Sequence, residues 1–347
     1  YAWFGVATSQ GRMGVRIFFL ISAFLLYRPY AMAHLSGTQG PETLGYARRR
    51  ALRIVPAYWV ALTGLAVWPG LTGIFSDDWW IYYGLLQAFW GSTLFSGLSV
   101  AWSLTIEVSF YALLPLLALF LARLGKNAQP RSRMVRQLWA LALLGLASEI
   151  FRIYVFSTGQ RILNFTVVSM FLPFAIGMAL AVCSAWLGAN ERKWRWTRFV
   201  VDHPGAVWSA AIAIFVASCF GPFFSRTSAS GHTLFTWTFE QLAYVLISSL
   251  LLLPAVFGEA EGGWPRRILG HRFLTFMGLI SYGIFLWHRP LLQAMSQAGW
   301  GQWIPGSAFI VLLILTRSAS IGIGWLSYRF VETPAMRLRD RPREQND

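Results

Sequence analysis

Charge is what this chain of 347 residues has least of: charged side chains make up 12% of it, against about 25% in an average soluble domain. A soluble surface cannot be built from half the usual charge, and the deficit excludes a soluble enzyme, a disordered chain and a coiled coil. Lysine is nearly missing, so almost all of the 29 basic residues are arginine, and they outnumber 14 acidic ones for a net charge of +15. There are only two cysteines, Cys183 and Cys219, both inside apolar runs. They offer neither a disulfide framework nor the spacing of a metal site, and read as buried, apolar-like thiols. The chain starts at Tyr1 with no signal-peptide pattern before it, which reads as a fragment. No internal repeat is evident, which speaks against an inverted-repeat transporter.

What fills the space is hydrophobic sequence, 56% of the chain, with a mean hydropathy of +0.51. It is gathered in runs of about 20 residues, the length that crosses roughly 30 Å of hydrocarbon at 1.5 Å per residue. The fold class is therefore all-α, a polytopic transmembrane helical bundle with about nine spans. They are expected at 14–35, 51–74, 102–122, 138–156, 165–187, 205–224, 234–257, 274–297 and 306–329.

A further run, 81–100, is rich in glycine, serine and aromatic residues. The arginines decide against its crossing. Basic clusters around Arg48–Arg53, Arg123–Arg136, Arg192–Arg198, Arg266–Arg272 and Arg329–Arg343 follow alternate spans, whereas the other loops hold almost no bases, the one near Asp77 and Asp78 being acidic and 298–305 uncharged. The positive-inside rule places the basic loops and the C-terminus in the cytoplasm, and the alternation holds only if 81–100 stays outside or re-enters. These bases act as orientation signals and contacts for anionic membrane lipids; nucleic acid is not the expected partner. With nine spans Tyr1 falls outside, so a tenth helix is expected before it in the full-length protein.

Ionisable residues at membrane depth cost several kcal/mol and mark function by default. Here they are Arg16, Glu107, Glu149, Arg152, Glu240, His288, Arg289 and Arg317. All but Arg317 fall in the outer half, suggesting a hydrated cavity open to the outside. Glu149 and Arg152, three apart, can pair locally. Arg16 can snorkel, and Glu240 reads as structural. Arg317 is too central to reach either interface and calls for a buried partner. His288 precedes Pro290, which removes one helix hydrogen bond and frees a carbonyl nearby. Glu107, one helical turn from Ser103 and close to Trp102, is the leading catalytic candidate. Arg50 and Arg53, three apart near a helix start, oppose the helix dipole and need an anionic partner; they could grip phosphate, from a lipid headgroup or a nucleotide-bearing cofactor.

Several stretches together resemble the acyltransferase-3 family of integral membrane acyltransferases. They are Gly14-Val-Arg-Ile-Phe-Phe through Leu26, Arg50-Ala-Leu-Arg53 running into Trp59, Trp102-Ser-Leu-Thr-Ile-Glu107 with Phe110, Tyr111 and Pro115, Phe174-Ala-Ile-Gly-Met178, Ser281-Tyr282 through His288, and Tyr328-Arg-Phe-Val-Glu332-Thr-Pro334. The resemblance implies a ten-helix domain, of which residues 1–334 would hold all but the first helix, with 335–347 as a basic cytoplasmic tail. It implies transfer of an acyl group, most simply acetyl, from cytoplasmic acyl-CoA to a hydroxyl of a carbohydrate or other small acceptor, often at the outer face, with no metal.

Residue by residue, Arg50 and Arg53 match the family's Arg pair linked to acyl-CoA, and Trp102, Ser103, Leu104 and Glu107 match its Trp-Ser-Leu-x-x-Glu motif. Glu107 and His288 are the catalytic candidates within the chain; Arg16, Trp102, Ser103 and Tyr282 are the candidates for holding substrate. The family's key histidine lies in the helix expected before Tyr1. Arg16 stands where the family often has Asp, Ala23 where it has Gly, and Arg289 where it has Trp; the first change bears on the acceptor. The rival readings are a transporter or flippase of a glycan- or lipid-linked substrate, whose buried charges would line a pathway, and an inactive, binding-only relative.

Overall fold

A computed structural model describes residues 13–190, 194–220, 233–258, 263–302 and 307–338. Among them every regular element is helical: α1 Met13–Ser36, α2 Thr43–Leu65, α3 Trp79–Tyr83, α4 Ala101–Arg123, α5 Pro130–Thr158, α6 Phe171–Gly188, α7 Arg195–Asp202, α8 Pro204–Phe220, α9 Leu234–Phe257, α10 Trp264–Leu269, α11 Arg272–Gln297, α12 Ala308–Ser327 and α13 Thr333–Arg337. Seven helices are long and apolar enough to cross a membrane, counting α2 through Gly70 and α12 through Arg337; α7 and α8, bent by 87°, make an eighth if they form one span. The 26-residue α11 is long enough, but His288 and Arg289 lower its hydropathy and it is not among the seven. The end of the span expected at 205–224, the start of that at 306–329, and most of the tail expected at 335–347 lie outside the described residues.

The segment 81–100 does not cross as a helix: it holds the end of α3, a 3-10 turn at Gln87–Phe89 and a series of turns. Two basic stretches expected as loops are instead helical. α2 starts at Thr43 and α5 at Pro130, about eight residues before the apolar runs begin, because an α-helix does not stop where the hydrocarbon does. α5, at 29 residues, is about 44 Å long.

The chain divides into two compact units. The first holds residues up to Pro41 and Leu113–Gly270. In it α1 and α6 approach most closely at Gly177, where the Leu20 carbonyl and Ala23 occupy the space a Cβ would need. Phe19 and Phe174 stack at 4.6 Å beside it. Tyr27 donates to Gln137 of α5 at 3.0 Å, and Trp208 of α8 to the Leu251 carbonyl of α9 at 3.2 Å. Large apolar side chains such as Leu25, Leu116, Leu143 and Ile150 stay exposed. Helices apolar on both faces are what lipid surroundings require.

The second unit holds Glu42–Ala112 and His271–Asp347. The segment after α2 folds back onto it: Ile74, Tyr82, Leu85 and Leu98 bury against Ile54, Tyr58, Leu62 and Leu65. Tyr58 donates to the Tyr82 carbonyl at 2.7 Å and Trp59 to that of Tyr83 at 3.0 Å, so α2 side chains satisfy carbonyls where this segment leaves α3, as backbone at a membrane requires. α11 and α12 meet at Gly283 and Gly324, a small-residue contact of the kind that lets membrane helices come close.

The orientation read from the arginines has a direct test. In a Cys183→Ser, Cys219→Ser background, cysteine at Gln302 should react with an impermeant thiol reagent from outside intact cells, and cysteine at Lys126 only after permeabilisation. Reversed labelling would invert the topology.

Candidate active site

Tyr282, half-buried on α11, is where the separate sequence motifs of the second unit meet. Its hydroxyl donates to the Ile54 carbonyl at 3.0 Å, one residue past Arg53 on α2. Glu107, Glu332, Tyr58 and Tyr111 all lie within electrostatic range of it. Glu332 is in turn within electrostatic range of Arg53.

Each carboxylate is presented by a local feature of the chain. Glu107 lies early in α4, 1% exposed, and accepts a hydrogen bond from Tyr111 one turn later. Tyr111 is fixed by a proline: Pro115 has no N–H to give to the carbonyl four residues earlier, and the Tyr46 hydroxyl supplies that donor to the Tyr111 carbonyl at 3.3 Å. Glu332, 4% exposed, closes a π-helical turn, Tyr328–Glu332, between α12 and α13. Such a turn adds a residue to the helical ladder and recurs at functional sites. Ser327 donates to Glu332 at 3.4 Å.

Towards the start of α2, Arg53 is exposed and Arg50 is half-buried. Among the described residues the Arg50 Nε is buried without a hydrogen-bond partner. An orphaned guanidinium N–H is costly, and it fits a phosphate oxygen. Arg48 is already occupied, donating to the Leu338 carbonyl at 2.7 Å. Of the other expected site residues, Trp102 is half-buried, and the Ser103 hydroxyl is buried and donates to the Val100 carbonyl at 3.1 Å, which ties it to the start of its own helix.

His288 occupies a different face of α11. It lines a 430 Å³ groove between α11 and α12 with Ser281, Phe285, Phe309, Thr316 and Arg317. Its Nδ1 lies 3.1 Å from the Ile284 carbonyl and 2.9 Å from that of Phe285. Carbonyls only accept, so Nδ1 carries the proton and the neutral ring keeps its lone pair on Nε2. The charges near it are Arg317 and Arg289. Arg317, expected to have a buried partner, is exposed beside this groove, because α12 turns that face outward.

Arg16 belongs to the first unit. It is 6% exposed and hydrogen-bonded to Gln241, within range of Glu149, Arg152, Tyr244 and Glu240. Arg152 and Glu149 form the expected local ion pair at 2.6 Å, with Arg152 also 4.7 Å from the centre of the Trp237 ring. Glu240 accepts from Tyr244. Arg16 is thus held within a buried polar cluster and does not snorkel. Among the described residues no group of three or more His, Cys, Asp or Glu side chains is placed to hold a metal ion.

Sequence reasoning had no role for Tyr46, and took Tyr58, Tyr111 and Glu332 only as parts of matching stretches. The one available signal was Pro115, since a proline inside a span always leaves a carbonyl for another group to satisfy.

A family model described as an acyltransferase domain matches residues 1–329. The peptidoglycan O-acetyltransferase OatA of Listeria monocytogenes is 24% identical over 343 residues, covering 93% of this chain and 51% of that protein. The O-acetyltransferase OatA of Staphylococcus aureus is 24% identical over 340 residues, covering 94% of this chain and 53% of its own length. The chain therefore spans about half the length of the curated relatives it matches. No solved structure matches it.

Proposed function

Because the chain belongs to the acyltransferase-3 family, we propose that it is a multi-pass membrane O-acyltransferase, moving an acetyl group from acetyl-CoA on the cytoplasmic side to a hydroxyl of a carbohydrate acceptor. The observation that carries this reading is that Tyr282 gathers three other motifs around it: the Ile54 carbonyl next to Arg53, Glu107, and Glu332, which is in range of Arg53. The similarity to two O-acetyltransferases supports the acetyl group, and the peptidoglycan named in one of them supports a polysaccharide acceptor.

The thioester supplies an activated acyl carbon. The acceptor oxygen forms the new C–O bond as the C–S bond breaks, the hydroxyl proton leaves to a base, and the sulfur takes up a proton. Arg50 and Arg53 hold the donor's phosphates from the first half of α2. Glu107, held by the Tyr111 hydrogen bond, holds the acceptor hydroxyl or orients the base that takes its proton. The Tyr282 hydroxyl, now spent on the Ile54 carbonyl, is a donor that could turn to a developing oxyanion. Trp102 and Ser103 are proposed to border the acceptor in the second unit, and Arg16, in the first unit, is a separate candidate for holding it.

Full-length protein in vesicles, incubated with acetyl-labelled acetyl-CoA and a soluble glycan acceptor, should yield labelled acceptor and free CoA in equal amounts. Movement of the acceptor across the bilayer with no CoA released would make it a transporter. Arg50→Ala and Arg53→Ala should each weaken acetyl-CoA binding by about 10- to 150-fold, the worth of a charge-assisted hydrogen bond. Arg50→Lys should recover only part of it, since an ammonium lacks the guanidinium fork. Normal binding in both alanine variants would reduce the pair to membrane anchors.

A further inference from the structure

A second cavity, of 590 Å³, opens in the first unit where the ends of α1 and α6 meet the start of α5. Ligand sites commonly span about 300–1,000 Å³, so the size is suitable. Its polar lining is Arg28, Ser36, Gln129, Arg131, Ser184 and Asn190, and none of its described lining residues is acidic. We propose that this cleft binds a phosphate ester, gripped between Arg28 and Arg131.

The case rests on where Arg28 is. It lies eight residues before the end of α1, about 12 Å along the helix, exposed at the cleft. Its Nε donates to the Ser184 hydroxyl of α6 at 3.3 Å, which fixes the guanidinium by one edge and leaves the two terminal nitrogens. Arg131 faces the same cleft from the first turn of α5. The neutral groups compete little for an anion. Ser36 donates to the Met32 carbonyl at 2.5 Å, and the Asn190 amide donates to the Trp186 carbonyl at 2.8 Å.

Two like charges facing one cleft with no described acid between them repel each other unless an anion fills it. A phosphate ester can meet both forks with paired hydrogen bonds, and its greater charge answers two guanidiniums better than a single carboxylate does. The cleft lies at the arginine-rich end of α5, the side assigned to the cytoplasm, where phosphate esters reach it from two sources: a nucleotide-bearing solute or an anionic lipid headgroup. The proposal does not depend on the acyltransferase reading or on Arg50 and Arg53, which belong to the other unit.

The test uses the full-length protein in nanodiscs. Binding of adenosine 3′,5′-bisphosphate is measured in neutral lipid by calorimetry, and retention of phosphatidylglycerol by native mass spectrometry. Arg28→Gln and the exposed Arg131→Gln should each weaken one of the two by about ten-fold or more, while Arg123→Gln, outside the cleft, leaves both unchanged. Loss with the bisphosphate identifies a soluble nucleotide-like ligand, and loss with the lipid alone identifies a headgroup site. Gly188→Phe keeps every charge and adds a ring where a new Cβ meets nothing within 4 Å; by filling the cleft it should weaken the same probe. Both probes bound as in wild type by both arginine variants, or weakened equally by Arg123→Gln, would overturn the proposal and leave the arginines as general surface charge.

Discussion

Replacing Glu107 by glutamine should slow acyl transfer by about 10²–10⁴-fold, the usual span for a group that assists proton transfer. The substitution keeps the shape of the side chain, and its amide carbonyl can still accept from Tyr111. Only the charge is lost. If that charge positions the acceptor hydroxyl or steadies its base as a proton arrives, kcat falls while the dissociation constant for acetyl-CoA stays near the wild-type value, because the donor's phosphates are held by Arg50 and Arg53. A structural carboxylate gives a different pattern. Glu107 is 1% exposed, and removing a buried charge from a network that compensates it is strongly destabilising, so folded yield would drop together with activity. Tyr111→Phe separates the two further, leaving the carboxylate in place but removing its donor, and should cost about ten-fold, the worth of one hydrogen bond to a charged group. A well-folded Glu107→Gln protein with wild-type turnover would remove Glu107 from the mechanism.

Hydropathy alone located the long apolar helices, though not their basic extensions or the short helices, because the bilayer sets the length of what crosses it. The non-crossing segment 81–100 was legible from the arginine alternation, which acts during insertion and leaves its record in the loops. Which face of each span meets protein was not legible. A soluble helix declares its buried face by contrast with a polar one, but helices apolar all round carry no such contrast, and Leu116 on α4 is exposed where Leu114, two residues away, is fully buried. Tyr282 was quoted in a motif, but its position among Glu107, Glu332 and Tyr58 depends on three other chain segments. Ser103 and Glu107 do share a helix face by spacing, yet the hydroxyl turns back to Val100, a choice made by local backbone geometry that spacing does not encode. Glu332 was hidden for a related reason: an α-helical register carried on from α12 would aim it elsewhere, and the π turn that re-aims it has no sequence signature.

The glycines were the least legible of all, and they carry the other large effect. Gly177→Leu should abolish the folded protein, and Gly177→Ala alone should destabilise it by about 1–3 kcal/mol, the cost of overpacking a fitted interface. A Cβ at Gly177 would stand 2.3 Å from the Leu20 carbonyl oxygen and 2.8 Å from the Ala23 Cβ. The first neighbour is backbone, which cannot rotate aside, so α1 and α6 must move apart. Separation would unstack Phe19 from Phe174 and strain the hold of α1 on Gln137 through Tyr27. Gly322 in α12 supplies the contrast, since a Cβ there meets nothing within 4 Å. Alanine at that position removes only the backbone freedom that makes glycine a poor helix former, worth about 0.5–1 kcal/mol, and should leave the melting temperature unchanged or slightly higher. Two positions two residues apart in one helix should then differ in sign: Gly324→Ala, facing Ile280 and Ile284 at 3.1 Å, lowers the melting temperature where Gly322→Ala does not. Thermal unfolding of the detergent-purified variants, followed by the loss of monodisperse protein on size exclusion, reads all four changes on one scale. A Gly177→Ala protein as stable as wild type would show that α1 and α6 are not in backbone contact at this point.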